Sequence, residues 1–357
     1  MKTSSYIMSA IGLFMAFFSL WWTITLGEQI GNPTKHYETL RAAVAAGEID
    51  EPSDNGLIEI TFNFFGDCTL ASQWDKTDKD RFNSFVKTVD SAYFFDGVRD
   101  VLSMGDVNIA NCEGTFTSPS TKRIGKNHSP AFWFRSDPST AQIFSANNIH
   151  AVSLANNHAN DYGECGYLET GETLNNLGIL WGDGDEPVII ERQGIIFAVF
   201  FIKFWDDISQ STLDAVQNAS LHSDIQIVYF HAGDEGIHAP DAYKIRSCHA
   251  LVEAGADLVI GSHPHVLQPI ENYGGVNIVY SIGNFIFGGN LNPENRTVVY
   301  QHTFVFENGG LIDNRERVYP CYIYSGPVNK YQPYIMENGE LHDGVIDFMY
   351  GRRTALP

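Results

Sequence analysis

The stretch AVSLANNHAND (151–161) joins a short apolar, β-prone run directly to a cluster of polar side chains. The same arrangement recurs in FNFFGDCT (62–69), VNIANCEG (107–114), IVYFHAGDE (227–235) and LVIGSHPHV (258–266). Segments of helical period separate most of these apolar runs, and that alternation predicts an α/β domain. In such domains the carboxyl ends of the strands meet at one edge of the sheet, so the polar clusters are expected to converge.

The segments between the clusters define the expected secondary structure. Helices are predicted near 93–102, 139–146, 167–177 and 242–254 from their apolar periodicity. The two apolar runs within 188–202 have the pattern of a hairpin, which introduces antiparallel pairing. The expected strand pairing is therefore mixed.

The acidic composition limits the classes of ligand. The chain has 43 acidic and 22 basic residues, and its formal net charge of -21 opposes binding to nucleic acid, because phosphate contacts need Lys and Arg. A polyanionic ligand would also be repelled unless bound cations or a local basic spot offset that charge. The composition therefore favours a protein that binds metal.

The uncharged stretch 6–27 follows Lys2 and, at about 1.5 Å per residue in a helix, is long enough to span a membrane. No clear small-x-small cleavage site follows it, which favours a transmembrane anchor over a removed signal peptide. Lys2 before the stretch and Glu28 after it place the rest of the chain outside the cytoplasm, as a secreted protein if the segment is cleaved. The expected organisation is an anchor (1–27), a polar spacer (28–56), a domain (57–335) and a C-terminal tail (336–357).

The polar clusters combine His, Asp, Glu and Asn, which together are typical ligands of a divalent metal. A single Asp or Asn after a strand is more often a turn former or a helix cap. The pair His263 and His265 is different, because Pro264 between them makes a rigid turn that directs both imidazoles outward. Recurrence at five strand ends favours a metal site over caps and turns.

Six motifs carry a resemblance to a known family. GDCT, NCEG, LANNHAND, HAGDE, GSHPHVLQ and YSIGNFIF occur in that order over about 57–287 and resemble the motif series of the CapA family, which is associated with poly-γ-glutamate capsule synthesis. That family is similar to the calcineurin-like metallophosphoesterases. The resemblance implies two packed mixed β-sheets flanked by helices in a four-layer sandwich, with a two-metal centre. Within that fold, the apolar runs of 297–334 are expected to form the outer part of the second sheet.

The resemblance also implies roles for individual residues. The metal ligands are expected to be Asp67, Glu113, Asn157, His231, His263 and His265. His158 matches the catalytic histidine beside the asparagine ligand, and Asp161 is expected to act with it. Asn111 is an alternative to Glu113 at the position that bridges two metals.

Three residues are candidates for contacts with substrate: Asn111, Arg135 and Glu235. Arg135 is a rare cation in an apolar setting and suits a substrate carboxylate, although an ordinary exposed charge explains it as well. Glu235 is also an alternative metal ligand, as are Asp161 and the hydroxyl of Thr69.

The chain departs from the phosphoesterase pattern at two motifs. Thr69 stands where the His of Asp-x-His would be, and Asn-Cys-Glu (111–113) replaces Gly-Asp-x-x-Asp. One or two metal ions, of Mn, Fe or Zn, are therefore expected, and this donor set does not separate the three elements.

The function implied by the resemblance is metal-assisted hydrolysis or transfer on a γ-linked glutamate polymer, with His158 moving a proton. Two alternatives remain open: a non-catalytic assembly or export factor that holds the polyanion through cations, and a general phosphoesterase. The expected partners are an anionic polymer such as poly-γ-glutamate, the membrane through the N-terminal helix, and other membrane subunits of capsule synthesis.

Overall fold

The computed structural model describes residues 57–73, 81–118, 120–127, 130–289, 293–324, 326 and 328–357. The predicted anchor (1–27) and spacer (28–56) lie outside these residues. Within the described ranges, no helix combines the length and the apolar character needed to cross a membrane.

Strands dominate the described part of the chain. In chain order they are β1 (Ile58–Thr69), β2 (Ser72–Gln73), β3 (Val107–Cys112), β4 (Thr115–Phe116), β5 (Phe134–Ser136), β6 (Ala151–Ser153), β7 (Leu180–Gly182), β8 (Val188–Arg192), β9 (Ile195–Lys203), β10 (Ile225–His231), β11 (Leu258–Ser262), β12 (Leu267–Tyr273), β13 (Val276–Ile282), β14 (Asn284–Phe287), β15 (Arg296–Glu307), β16 (Gly310–Tyr322) and β17 (Tyr334–Ile335).

The helices lie mostly between parallel strands. They are α1 (Phe82–Phe85), α2 (Arg99–Leu102), α3 (Gln142–Ala146), α4 (Gly163–Asn176), α5 (Gln210–Ala219), α6 (Ala242–Glu253) and α7 (Glu340–Met349). Short 3-10 helices at Val86–Thr88, Ser91–Val98 and Pro138–Ala141 precede or follow three of them. Asp90 and Asp137 begin two of the 3-10 helices by accepting a hydrogen bond from a backbone N–H two residues later.

The first sheet has the strand order β17-β16-β15-β1-β3-β6-β7, with β14 also paired to β1. Strands β1, β3, β6 and β7 run parallel to one another, whereas β15 is antiparallel to β1. The register places Asp67 opposite Asn111, and Asn111 opposite Ser153. The carboxyl ends of the three central strands therefore end side by side.

The second sheet has the order β12-β13-β11-β10-β9-β8, in which β9, β10, β11 and β13 are parallel. Its central strands are almost continuously apolar, as in Ile195–Lys203 (IIFAVFFIK), because both faces of the sheet are covered. His231 pairs with Ser262 at the carboxyl end of this sheet.

The main core lies between the two sheets. Phe62 and Phe64 of the first sheet are fully buried there against Phe197 and Tyr229 of the second, and the Phe62 and Phe197 ring centroids are 4.8 Å apart. Burying each such side chain stabilises the fold by about 1.5–3 kcal/mol. The Tyr229 hydroxyl donates to the Phe65 carbonyl oxygen at 2.9 Å and joins the sheets by a buried hydrogen bond.

A second core covers the outer face of the first sheet. Phe65, Ala110 and Val152 point to that side and pack with helical residues such as Phe144 and Leu174. On the second sheet, α6 packs on β11 and buries Cys248 and Leu251. The predicted mixed α/β fold with packed sheets and helices is confirmed.

The prediction that the runs of 297–334 form the outer part of the second sheet is wrong. β15 pairs with β1 along Ile58–Phe64, and β16 and β17 extend that same first sheet. Val298, Tyr300, Phe304 and Phe306 on β15 face the core between the sheets, and this burial fixes the strand beside β1. The alternation of apolar and polar residues identified a strand, but it did not identify the strand with which it pairs.

Gly66 allows a close approach between chain segments beside the strand ends. A Cβ atom at this position would lie 1.9 Å from the carbonyl oxygen of Gly283, which also accepts a hydrogen bond from the Asp67 N–H at 3.0 Å. Gly283 itself has φ 73°, a conformation that favours glycine, and connects β13 of the second sheet to β14 of the first. The two sheets are thus linked covalently next to Asp67.

Candidate metal centre

Carboxylate and carboxamide groups from the first sheet form one side of a buried site. Asp67 at the end of β1 accepts a hydrogen bond from Asn111 Nδ2 at 2.8 Å, through Oδ1. Glu113, just after β3, accepts one from the Thr69 hydroxyl at 3.0 Å. Asp67, Asn111, Thr69 and Glu113 are essentially inaccessible to solvent, so each orientation depends on these contacts.

The loop after β6 adds two amides to this side. Asn156 Nδ2 donates to Asn111 Oδ1 at 3.1 Å, and Asn156 Oδ1 accepts from the His158 N–H at 3.0 Å. Asn157 Oδ1 lies 2.9 Å from His231 Nε2, across the gap between the sheets. Asn157 is therefore one direct contact between the amide side and the imidazole side.

Three histidines from the second sheet form the other side. His231 is the last residue of β10, and its Nδ1 lies 3.0 Å from the Ser262 hydroxyl oxygen and 3.3 Å from Asn111 Nδ2. The His231 and His263 ring centroids are 4.5 Å apart. His265 Nδ1 lies 2.9 Å from Asn284 Oδ1 and 3.2 Å from Asp67 Oδ2.

The turn that carries His263 and His265 is strained. Their φ angles are 97° and 57°, in the region that residues other than glycine rarely adopt. Such residues cost about 1–3 kcal/mol each and persist where the surrounding structure holds them. Here the strain holds the turn against Asp67: the backbone N–H of His263 donates to Asp67 Oδ2 at 3.3 Å, and His265 Nδ1 lies 3.2 Å from the same oxygen.

Burial and charge divide the histidines into two kinds. Burial, and then the nearby charge of His265, lower the pKa of His263 to about 3, and burial lowers the pKa of His231 well below its usual value. Both rings are therefore neutral near pH 7 and keep a lone pair. For His265 burial acts in the same direction, but the Glu113 and Asp67 carboxylates outweigh it and raise its pKa to about 10. Burial raises the pKa of Glu113 to about 8.

Glu113, His263 and His265 fit a divalent metal ion, which would replace the proton that the nearby carboxylates hold on His265. Each offers one ligand atom, and these atoms lie within 4.8 Å of one another. Among the described residues, the buried Glu113 Oε1 and His263 Nδ1 have no hydrogen-bond partner, which costs about 1–3 kcal/mol for each group. A cation between them would satisfy both atoms, and carboxylate with imidazole is a donor set that suits Zn, Mn and Fe.

His158 and Asp161 form a buried pair beside this site. His158 Nδ1 lies 2.8 Å from Asp161 Oδ2, which also accepts from the Phe134 N–H at 2.8 Å. Lys126 Nζ is 2.5 Å from Asp161 Oδ1. Burial lowers the pKa of His158, although Asp161 opposes that shift, so its ring is neutral near pH 7.

A family comparison agrees with this arrangement. The family profile described as bacterial capsule synthesis protein PGA_cap matches residues 61–289, which is more than half of the chain and includes every candidate site residue. The chain belongs to this family.

Two curated proteins with similar sequences are named CapA. The PGA biosynthesis protein CapA of Bacillus subtilis (strain 168) is 30% identical over 200 residues, covering 49% of this chain and 52% of that protein. The capsule biosynthesis protein CapA of Bacillus anthracis is 25% identical over 231 residues, covering 57% of this chain and 56% of that protein. The chain therefore spans about half the length of the curated relatives that it matches.

Among solved structures, a phosphatase of Mycoplasma pneumoniae aligns with 12% identity over 74% of this chain and 95% of that chain. The TM-score is 0.39.

The structure of this capsule synthesis family member brings together the six residues predicted as metal ligands. Asn111 lies among them with its side chain fully buried and hydrogen-bonded to Asp67, Asn156 and His231. Glu235 is exposed on the loop after β10. Arg135 lies apart from the ligand set, in contact with the ring of Tyr162 at 5.1 Å.

Four residues that have clear contacts at the site were not predicted from the sequence. Ser262 and Asn284 hold His231 and His265, Lys126 pairs with Asp161, and the Trp205 ring lies 4.8 Å from that of His263. Ser262 and Asn284 fall inside the GSHPHVLQ and YSIGNFIF motifs, which was the available signal. Lys126 and Trp205 lie in loops with no comparable pattern.

Proposed function

We propose that this chain is a membrane-anchored, extracytoplasmic, metal-dependent enzyme that cleaves or transfers amide bonds of a γ-linked glutamate polymer during capsule synthesis. Membership of the capsule synthesis family supports the biological context. The uncharged stretch 6–27 supports the anchor. The observation that carries the proposal is the set of Glu113, His263 and His265, of which the first two are buried and each have an unpaired ligand atom.

The proposed architecture is the metallophosphoesterase-type sandwich. Helices on the outer faces of two packed mixed sheets support it, as does the position of every candidate ligand at a carboxyl strand end. Thr69 donates to Glu113 in place of a histidine ligand, so the first motif orients a carboxylate instead of supplying a nitrogen.

Asp67, Glu113, Asn157 and the three histidines would hold one or two Mn, Fe or Zn ions. A bound ion would polarise the scissile carbonyl and lower the pKa of an attacking water. Asp67, together with Glu113 once a bound ion displaces its proton, would provide the negative charge that retains a cation in this site, and Asn111 fixes the Asp67 carboxylate by a hydrogen bond.

His158 is the proposed proton-transfer group. Because Asp161 holds Nδ1, the Nε2 atom is left to take a proton from the nucleophile or to give one to the leaving nitrogen. Lys126 and the Phe134 N–H fix Asp161, and the Phe134 ring lies 4.5 Å from the His158 ring. The imidazole is therefore restrained on two sides.

A second candidate function is a non-catalytic factor that holds the polymer during assembly or export. The specific observation in its favour is a relative from Mycobacterium tuberculosis, 25% identical over 214 residues, whose name is "probable polyglutamine synthesis accessory protein". A general phosphoesterase is a third candidate, supported only by the resemblance of the motifs.

Turnover by the purified full-length protein in detergent tests these functions. The substrates are a γ-linked glutamate polymer, followed by chain length, and a chromogenic phosphodiester. The enzyme proposal predicts polymer shortening or transfer that is lost in His158→Ala, while His342→Ala, on α7, keeps full activity. Polymer binding without turnover would support the factor, and turnover of the phosphodiester alone would support the phosphoesterase.

A further inference from the structure

Trp205 is a large aromatic side chain that lies beside the candidate metal centre and is 45% exposed. Its ring centroid is 4.8 Å from that of His263 and 6.1 Å from that of His231, with interplanar angles of 73° and 88°. Neither imidazole is therefore stacked in parallel on the indole. An exposed indole next to the ligand set offers an apolar surface to a substrate that enters the centre.

The loop after β9 holds the backbone beside Trp205 in place. Phe204 is buried against Phe230 and Tyr243, with ring centroids 5.5 Å and 6.2 Å away. The Phe204 N–H also donates to the His231 carbonyl oxygen at 3.3 Å. Because this segment is already ordered, packing a ligand against the indole costs little further conformational entropy.

The charges around Trp205 indicate which part of an anionic substrate can lie there. The loops after β9 and β10 expose four acidic residues: Asp206, Asp207, Asp234 and Glu235. Like charges repel, so the carboxylates of a substrate are disfavoured on this side of the centre. The indole therefore suits an uncharged, apolar part of the substrate.

The position of His158 indicates which side of the cleaved bond faces Trp205. His158 follows β6 of the first sheet and is the proposed donor of a proton to the leaving nitrogen. Trp205 follows β9 of the second sheet and contacts His263 on that side of the centre. With the leaving nitrogen towards the first sheet, the acyl side of the amide extends towards Trp205.

The acyl side is where γ-linked and α-linked glutamate differ. A γ-linkage places two methylene groups in the main chain directly next to the acyl carbon, with the carboxylate beyond them. An α-linkage leaves those methylene groups in a side chain, and the acyl carbon is bonded to a carbon that carries an amide nitrogen. Only the γ-linked chain presents an uncharged apolar segment immediately beside the reacting carbonyl.

We propose that Trp205 packs against these two methylene groups and makes the site specific for γ-linked over α-linked glutamate. The inference rests on the proposed function, because it names the linkage that the same site accepts. Removing two methylene groups from water favours binding by about 10-fold. Trp205 is thus a specificity-determining residue that acts through contact with the substrate.

Binding of two fluorescein-labelled glutamate pentamers of equal charge, one γ-linked and one α-linked, tests the proposal by fluorescence anisotropy. The protein is full-length, in detergent, with its metal content as purified, and every variant carries His158→Ala to remove the proposed turnover. The His158→Ala protein is expected to bind the γ-linked pentamer about 10-fold more tightly than the α-linked one. Adding Trp205→Ala is expected to weaken binding of the γ-linked pentamer by about 10-fold and to leave that of the α-linked pentamer within about 2-fold.

Two further variants serve as controls. Trp205→Phe keeps an aromatic surface and should retain most of the preference for the γ-linkage. Leu221→Ala removes a side chain that is 74% exposed and lies after α5, and it should leave both affinities unchanged.

The Trp205→Ala protein should keep its metal content and its melting temperature. Equal weakening of both pentamers, or loss of metal, would overturn the proposal and assign Trp205 to shielding the histidines. Failure of the His158→Ala protein to distinguish the two linkages, or to bind either pentamer, would overturn it as well.

The outcomes also separate the role of Trp205 from the proposed activity. If the protein with His158 intact does not cleave the polymer, but Trp205→Ala abolishes the preference in binding, the role of Trp205 stands and the hydrolase proposal fails. If the polymer is cleaved and Trp205→Ala keeps the preference, the Trp205 proposal fails and the hydrolase proposal stands.

Discussion

The first sheet contributes carboxylate and carboxamide groups to the candidate metal centre, whereas the second sheet contributes imidazoles. Asp67 lies at the end of β1, and Glu113 and Asn157 follow β3 and β6; His231 ends β10, and His263 follows β11. Neither sheet alone provides the mixed oxygen and nitrogen donors of the site. The centre therefore depends on the packing of Phe62 and its neighbours between the sheets as much as on the ligands themselves.

The carboxylate and carboxamide groups of the first sheet and the imidazoles of the second are the two halves of the site. Their side chains are held in position in different ways. On the first sheet, side chains fix one another, as in the chain of hydrogen bonds from Asn156 through Asn111 to Asp67. On the second sheet, a strained turn places His263 and His265. A mutation in the first half is expected to disturb several groups together, whereas one in the second half removes a single donor.

Removing one ligand from each half tests whether the two halves hold the same ion. Asp67→Ala and His263→Ala are each expected to lose at least one metal ion per chain and to reduce polymer turnover to background, because each leaves the remaining donors incomplete. Elemental analysis of the purified proteins and a turnover assay provide the measurement. Glu340→Ala, on the C-terminal helix α7, is the control for loss of an acidic side chain.

Full metal content in His263→Ala together with loss of metal in Asp67→Ala would contradict the expectation that both halves bind the same ion. It would mean that the oxygen half binds an ion alone and that the histidines have another role.

Gly66→Ala tests the link between the halves. The added Cβ would lie 1.9 Å from the Gly283 carbonyl oxygen, at the point where the chain passes from the second sheet to the first. Overpacking of this kind typically costs about 1–3 kcal/mol, and here the obstacle is backbone that cannot rotate away. We expect a lower free energy of unfolding by denaturant together with weaker metal binding.

Gly125→Ala is the matched control, since a Cβ there would meet no atom within 4 Å. A Gly66→Ala protein that is less stable but binds metal with normal affinity would show that the halves keep their alignment without this contact.

The convergence of the polar strand ends could be predicted because it follows from local signals. Apolar runs that end in Asp67, Asn157 or His231 identify strands, and parallel connections bring their carboxyl ends to one edge. The sheet partner of β15 could not be predicted, because pairing is nonlocal and its alternating pattern fits an edge position in either sheet. The strands of the small sheet β2-β5-β4, two or three residues long, are too short for a periodic signal.

Lys126→Met tests how the proton-transfer pair on the first sheet is held. Lys126 does not contact the ring of His158, but its contact with Asp161 positions that carboxylate. Loss of a positioning group typically costs about 10- to 100-fold in activity. We expect a reduced kcat, with little change in KM and with normal metal content. The pH profile of kcat should also change, because the positive charge of Lys126 would no longer offset the negative charge of Asp161.

Lys122→Met is the control, because Lys122 is an exposed cation of the same segment. A pH profile of kcat in Lys126→Met that is identical to that of the unmodified protein would assign Lys126 a purely structural role.

Lys244→Met tests whether the imidazole half of the site has a buried positive charge next to it. Lys244 is the residue that would carry this charge. Its amino group donates to the Ala232 carbonyl oxygen at 3.1 Å and to Gln268 Oε1 at 2.6 Å, and burial lowers its pKa to about 8, partly offset by the nearby Asp241. The unfolded chain, with a lysine pKa near 10.4, binds more protons between about pH 8 and 10.4, so the stability of the unmodified protein rises with pH across that window. Relative to Lys244→Met, we expect the free energy of unfolding by denaturant to increase by roughly 1–2 kcal/mol between about pH 7.5 and 9.5. An unchanged difference between the two proteins across this range would mean that the buried amine stays charged throughout, as it does in the unfolded chain, and would contradict the lowered pKa of Lys244.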